Sequence, residues 1–338
     1  MKRAMLAFTL ACLPFSPSPA QTLPLGAPDN WKYLAFDPAS QEMFVAHGNE
    51  ITVVDTATLR IIGHVPGLAG AHGVAIVPGG HGYAASGKNA TVTVFDPKTF
   101  RPIAVLQAGA DANSVTYDPA SHHVFVANDD AGTITVIDAA TGTLVASIAL
   151  PGGEGLAAAA SDGAGHLFVN HGAQGNLVRI DTRRSAVDAT WPLPGCSDPE
   201  GLALDSALQR LFISCDNNRL VVLDDRNGKL VEAMPIGPAS DTVLYDVRRA
   251  RIYTANADGT LSVIKVAGAD SYTVGAAIVT AKGAHTAALD PATGIVYLVA
   301  ANVKAAIPAA VARHHQIYSF EAGTVKLLAV DPAQPLKN

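Results

Sequence analysis

Charge is scarce in this chain: Asp, Glu, Lys and Arg together supply 15% of its 338 residues, and aromatic side chains only 6%. The formal net charge is −6 and Lys and Arg never form a dense run, so no positive field exists to attract a phosphate backbone. Nucleic acid is therefore not expected as a partner. No apolar run approaches the roughly 18 residues that a membrane-spanning helix needs, and helical periodicity is missing. Only three cysteines occur, without a Cys-x-x-Cys or Cys-x-x-Cys-His phrase. That removes the sequence basis for a thioredoxin-like pair and for covalent c-type haem. No nucleophile elbow or catalytic-triad phrase supports hydrolysis either.

What the chain does hold is apolar and turn-forming: 49% hydrophobic residues, 30 Gly and 21 Pro. This suits many short buried strands joined by tight turns. The first residues read as an export signal, with Lys2 and Arg3 ahead of an apolar run over 4–13 and small residues at Ser18 and Ala20. Residues 1–20 are expected to be a cleaved signal peptide and 21–338 a single domain, periplasmic or secreted. A rival reading makes Cys12 a lipid-anchored cysteine, although Thr9 stands where a lipobox wants an aliphatic residue. Cleavage leaves Cys196 and Cys215, and an even count in an exported chain favours a disulfide over two buried thiols.

One phrase recurs about every forty residues. Alternating β-branched runs end on aspartate at 51–55, 92–96, 134–138, 177–181 and 220–224, and turn formers follow, as in Asp138-Ala-Ala-Thr-Gly142. Asx-type hairpin turns account for these aspartates without any chemistry. Two further apolar runs precede each of these strands and a fourth follows the turn, so each period holds four short antiparallel strands, the pattern of a propeller blade. Aligning the first strand of every period puts Lys32, His72, Asn113, Glu154, Glu200, Asp241 and His285 in one register, which counts seven blades.

Several phrases carry a resemblance: Ala71-His72-Gly73-Val74-Ala75, Val124-Phe-Val-Ala-Asn128, Gly132-Thr-Ile-Thr-Val-Ile-Asp138 and the stretch from Cys196 through Gly201-Leu-Ala-Leu-Asp205 to Cys215. Over residues 22–331 the chain resembles the YVTN/YncE-like family of seven-bladed β-propellers. The resemblance implies an all-β ring of four-stranded antiparallel blades and says little about activity. The last period ends on its third strand, 323–331, and the segment 22–26 copies a fourth strand. The N-terminal strand is therefore expected to complete blade seven and close the ring, removing two open edges. Blade seven also holds an insertion over about 302–322 whose Arg313, His314 and His315 are expected to overhang the channel mouth, as a lid or as a plain surface excursion.

The aligned ring is the candidate site, because it gathers two imidazoles, three carboxylates, an amide and an amine around one axis. Carboxylates about 7 Å apart at an effective dielectric near 20 repel by roughly 2 kcal/mol per pair. Something must offset that repulsion. Lys32 and protonated histidines are one answer; a non-metal ligand is another; a divalent metal on His72, Glu154, Glu200, Asp241 and His285 is a third. Three functions follow: an exported binding protein recognising a small ligand, metal or partner protein at the channel mouth; a metal-dependent lactonase- or lyase-type enzyme on the same ring; or an envelope scaffold. His47, Asn128, Asp129, His171, Asp216, Asn256 and Asp258 follow second strands and are expected to surround the ring on the same face and make it polar, although individually each reads as a turn residue. A Cys196–Cys215 bridge would pin the loop that carries Glu200, and a monomer is expected.

Overall fold

The computed structural model describes residues 21–28, 30–307 and 317–333. The expected signal segment with Cys12, and the insertion tip with Arg313, His314 and His315, lie outside these. Seven antiparallel sheets form a ring. Blade one runs outward through Trp31–Asp37, Glu42–His47, Glu50–Asp55 and Arg60–Val65. Blades two to five repeat the same up-and-down order. Blade six departs from the four-strand expectation: its third strand, Thr260–Gly268, is long enough to pair with both Ser271–Val274 and Ile278–Val279. The outer position is thus shared by two pieces, interrupted at 275–277.

Blade seven is built from both ends of the described chain. Its inner strands Ala287–Leu289, Val296–Ala300 and Val325–Val330 are completed by Gln21–Gly26, antiparallel to Val325–Val330. The expected closure is what the structure contains. The outer edge of Val325–Val330 is thereby paired, and Leu23 and Leu25 pack against the core between blades seven and one.

The strand sequences explain the ring. Side chains alternate across a strand, so a strand with apolar residues at every position buries both faces. In His123–Asn128, Val124 and Val126 join the apolar cluster shared with blade two, while Phe125 and Ala127 join the cluster shared with blade four. Among the described residues there are seven such clusters, one for each blade-to-blade junction. Each large side chain buried there contributes about 1.5 to 3 kcal/mol, so the core is a closed circle of interfaces. The repeated aspartates act as turn locks, their carboxylates accepting backbone N–H groups two and three residues on, as at Asp55, Asp138, Asp181 and Asp246.

Candidate functional site at the channel mouth

In blades one, two, three and five the first strand carries a register shift against its neighbour, between Trp31 and Leu34, Ala71 and Val74, Ala112 and Val115, and Pro199 and Leu202. The residues inside these bulges are Lys32-Tyr33, His72-Gly73, Asn113-Ser114 and Glu200-Gly201. A bulge re-aims side chains that regular pleating would send into the sheet faces. Of these, Lys32, Tyr33, His72, Asn113 and Glu200 line a bowl of about 440 Å³ at the mouth of the channel, together with Asp241 and Thr286 from blades six and seven.

Blade four corrects the sequence alignment. Its bulge lies between Leu156 and Ala159, so Ala157 occupies the register assigned to Glu154. Glu154 stands three positions earlier, is exposed and does not line the bowl; its backbone carbonyl accepts the Nε2–H of His171 at 2.9 Å. The alanine run 157–160 has no polar marker of register, and the Gly-rich segment before it let the alignment slip. His285 holds its place at the blade-seven entry but stands behind the lining: Nδ1 donates to the Gly283 carbonyl at 2.7 Å, and Nε2 lies 3.5 Å from the Asp241 carboxylate.

The bowl holds more acid than the ring alone supplies. Its carboxylates are Asp111, Asp129, Asp130, Asp198, Glu200 and Asp241. Asp111 and Asp198 stand two residues before the ring register, with φ of 51° and 48°, where blades two, four and seven use Gly70, Gly155 and Gly283. This is the left-handed region, which aspartate tolerates better than most side chains. Asp129, expected beside the ring at the end of its second strand, lines the bowl, and its carboxylate accepts the Gly155 N–H at 3.1 Å. The other second-strand ends mostly lock turns; His47 Nε2 donates to the Pro28 carbonyl, and the Asn128 and Asn256 amides donate to threonine and serine oxygens.

Cationic groups are few in the lining. Lys32 is the ammonium, and His72 is the imidazole. Burial, then the Lys32 ammonium, holds His72 below the usual histidine range despite Asp111 at 3.8 Å, so the ring is neutral near pH 7. Burial pushes the Tyr33 hydroxyl well above its ordinary range, and Glu200, Asp241, Asp129 and Asp111 add to the effect, so it stays protonated. Burial likewise raises Asp129, reinforced by Asp111 and Asp130.

The small residues beside the ring answer to packing between blades. A Cβ on Gly73 would lie 2.5 Å from the Asn113 carbonyl oxygen, and one on Gly201 would lie 2.7 Å from the Val243 nitrogen. The inner strands therefore touch backbone to backbone. Cys196 and Cys215 are joined, with Cα atoms 5.2 Å apart, and the bridge anchors the segment that carries Asp198 and Glu200. A disulfide fits a compartment outside the reducing cytosol. The base of the blade-seven insertion, the hairpin of Val303–Ala306 and Tyr318–Phe320, reaches the same end of the ring, where Phe320 packs on Trp31 at 4.9 Å between ring centroids.

No protein-family profile matches the chain, and no curated protein matches it. Solved structures do. A chain of the mitotic checkpoint complex aligns over 97% of this chain and 99% of its own length, with a TM-score of 0.73 at 14% identity. U3-55K aligns over 91% and 98%, with a TM-score of 0.74 at 10% identity. A chain of Kuenenia stuttgartiensis hydrazine synthase aligns over 79% and 91%, with a TM-score of 0.67 at 15% identity. The shared property is the β-propeller fold.

Among the described residues no three His, Cys, Asp or Glu side chains are grouped as a metal ion would require. His72, Glu154, Glu200, Asp241 and His285 thus do not converge into one ligand set, and no reaction step through a metal follows from them. No helix among the described residues is long and apolar enough to cross a membrane.

Proposed function

We propose that this chain is a binding protein of a non-cytosolic compartment whose channel-mouth bowl captures a positively charged organic ligand. One observation carries the reading: six carboxyl groups line the bowl against a single ammonium, with the imidazole beside it neutral near pH 7. A concave site lined by one sign of charge focuses the field and draws in the opposite sign. The closed circle of blade junctions keeps such a bowl preformed, which lowers the ordering cost of binding. The basic and apolar opening of the sequence and the disulfide support export, and the motifs at 71–75, 124–128 and 132–138 support membership of the YVTN/YncE-like group. The lactonase- or lyase-type alternative rests on a metal set that the residues do not assemble.

The test is calorimetric titration of the mature protein with spermidine, against citrate as an anionic control. Spermidine should bind and citrate should not. Asp241→Asn or Glu200→Gln should each weaken spermidine roughly tenfold, since one carboxylate a few ångströms from an ammonium at an effective dielectric near 20 is worth well over a kilocalorie per mole. Failure of spermidine to bind at low ionic strength would overturn the reading.

A further inference from the structure

Below the bowl a second cavity of about 200 Å³ continues along the axis, and Tyr33 and Asp241 line both. The boundary is written in the chain register of three consecutive blades. Asp241 on blade six, Thr286 on blade seven and Tyr33 on blade one face the bowl, and the very next residues, Thr242, Ala287 and Leu34, line the channel. The first three therefore form a throat.

The two sides of the throat differ in chemistry. The channel wall is mixed, with apolar surface slightly in excess of polar, whereas the bowl wall is mostly polar. The channel is lined by Leu34, Val74, Val115, Leu202, Val243 and Leu244, whose side chains also pack in the clusters between blades, together with small and hydroxyl residues of the inner strands. The hydroxyls among them are already engaged: Ser114 donates to the Ala157 carbonyl at 2.9 Å, Thr116 donates to the Ala159 carbonyl at 3.0 Å, and Thr242 accepts the Ala287 N–H at 3.3 Å. Thr286 is the exception at the rim: the residue is 1% exposed, and its Oγ1 has no hydrogen-bond partner. A buried hydroxyl without a partner costs free energy comparable to a lost hydrogen bond, unless a bound group restores it.

Resting on the cation-binding reading above, we infer that the ligand is a primary alkylamine. Its ammonium sits at the throat and donates to the Asp241 carboxylate, the Thr286 Oγ1 and the Tyr33 Oη. Its alkyl chain runs down the channel, whose wall is less polar than the bowl's. A primary ammonium has three N–H donors and no acceptor, which suits a carboxylate and two hydroxyl oxygens. The surrounding acids supply the long-range attraction, and the channel supplies discrimination by length.

Ligand-observed NMR or calorimetry with n-butylamine, n-hexylamine and n-octylamine, with 1-hexanol and spermidine alongside, tests this on the unaltered protein. Affinity should tighten with each added methylene, by up to about fourfold, until the channel is filled, 1-hexanol should bind far more weakly than n-hexylamine, and Thr286→Val should weaken n-hexylamine about tenfold. If spermidine binds while the amines show no dependence on length, or if 1-hexanol equals n-hexylamine, the throat assignment falls and the bowl reading stands. A folded Thr286→Val variant with unchanged n-hexylamine affinity also overturns it. If neither spermidine nor any amine binds, both readings fall.

Discussion

Asp129 shows how one side chain answers to two demands. It caps the blade-four entry by accepting the Gly155 N–H, yet it sits beside Asp111 and Asp130 in a partly buried wall. Its folded-state pKa is raised above the ordinary 3.8, chiefly by burial and then by those two neighbours. The folded state thus binds the proton more tightly than the unfolded chain. That stabilisation is complete below the ordinary value and is lost as pH climbs through the raised one. Asp129→Asn keeps the accepting oxygen and cannot ionise, so its melting temperature should exceed the parent's at pH 7, and the difference should vanish near pH 3. Thermal melts across that range check this; a variant less stable at pH 7 would contradict it. Of the bowl residues, Lys32, His72, Asn113, Glu200 and Asp241 were readable from the repeat, because bulged first strands keep their register from blade to blade. Asp111 and Asp198 were not, since a residue in the left-handed region looks like any other turn residue in a sequence.

Two elements tie the mouth and the ring together. The Cys196–Cys215 bridge closes a loop with a sequence separation of 19 and fastens the blade-five entry to the end of its second strand. A loop of that length restricts the unfolded chain by about 3 kcal/mol. Cys196→Ser with Cys215→Ser should lower stability by roughly that amount in urea titrations and should weaken spermidine binding, because Asp198 and Glu200 lie on the released segment; unfolded, unreduced parent protein lacking residues 1–20 should titrate with no free thiol. The strand Gln21–Gly26 does the same for the ring. Removing residues 21–26 would bare the Val325–Val330 edge and strip Leu23 and Leu25 from their junction. The expected loss is about 3 kcal/mol or more, with aggregation through the open edge visible in size-exclusion chromatography. An unchanged melting temperature would show that the strand does not carry closure. Both elements could be proposed from sequence, one from an even cysteine count and one from a final blade short of a strand. The split outer strand of blade six could not, since nothing in 269–279 marks where pairing stops and resumes.

At the scale of the molecule, no blade owns a core. Every apolar cluster belongs to two neighbours, so loss of one blade exposes a face of each adjoining one. The two tryptophans report on distant parts of this circle: Trp31 lies at the junction of blades seven and one, and Trp191 packs at the junction of blades four and five. Single-tryptophan variants, Trp31→Phe and Trp191→Phe, should therefore unfold in urea with coincident fluorescence midpoints, as a single cooperative transition requires. Separated midpoints would mean that the ring opens in parts.

Blade number, strand alternation, turn aspartates and the closing segment were determined by sequence, because each depends on residues close together along the chain: period-two apolar patterning, an Asx turn, a missing strand at one end matched by a spare one at the other. The membership of the bowl was decided by tertiary structure. Whether Glu154 or Ala157 faces the axis depends on where a bulge falls. Whether Asp111, Asp198, Thr286 and Tyr33 share a wall depends on seven blade entries meeting around one axis. Local patterning records neither, since both arise from how the blades pack.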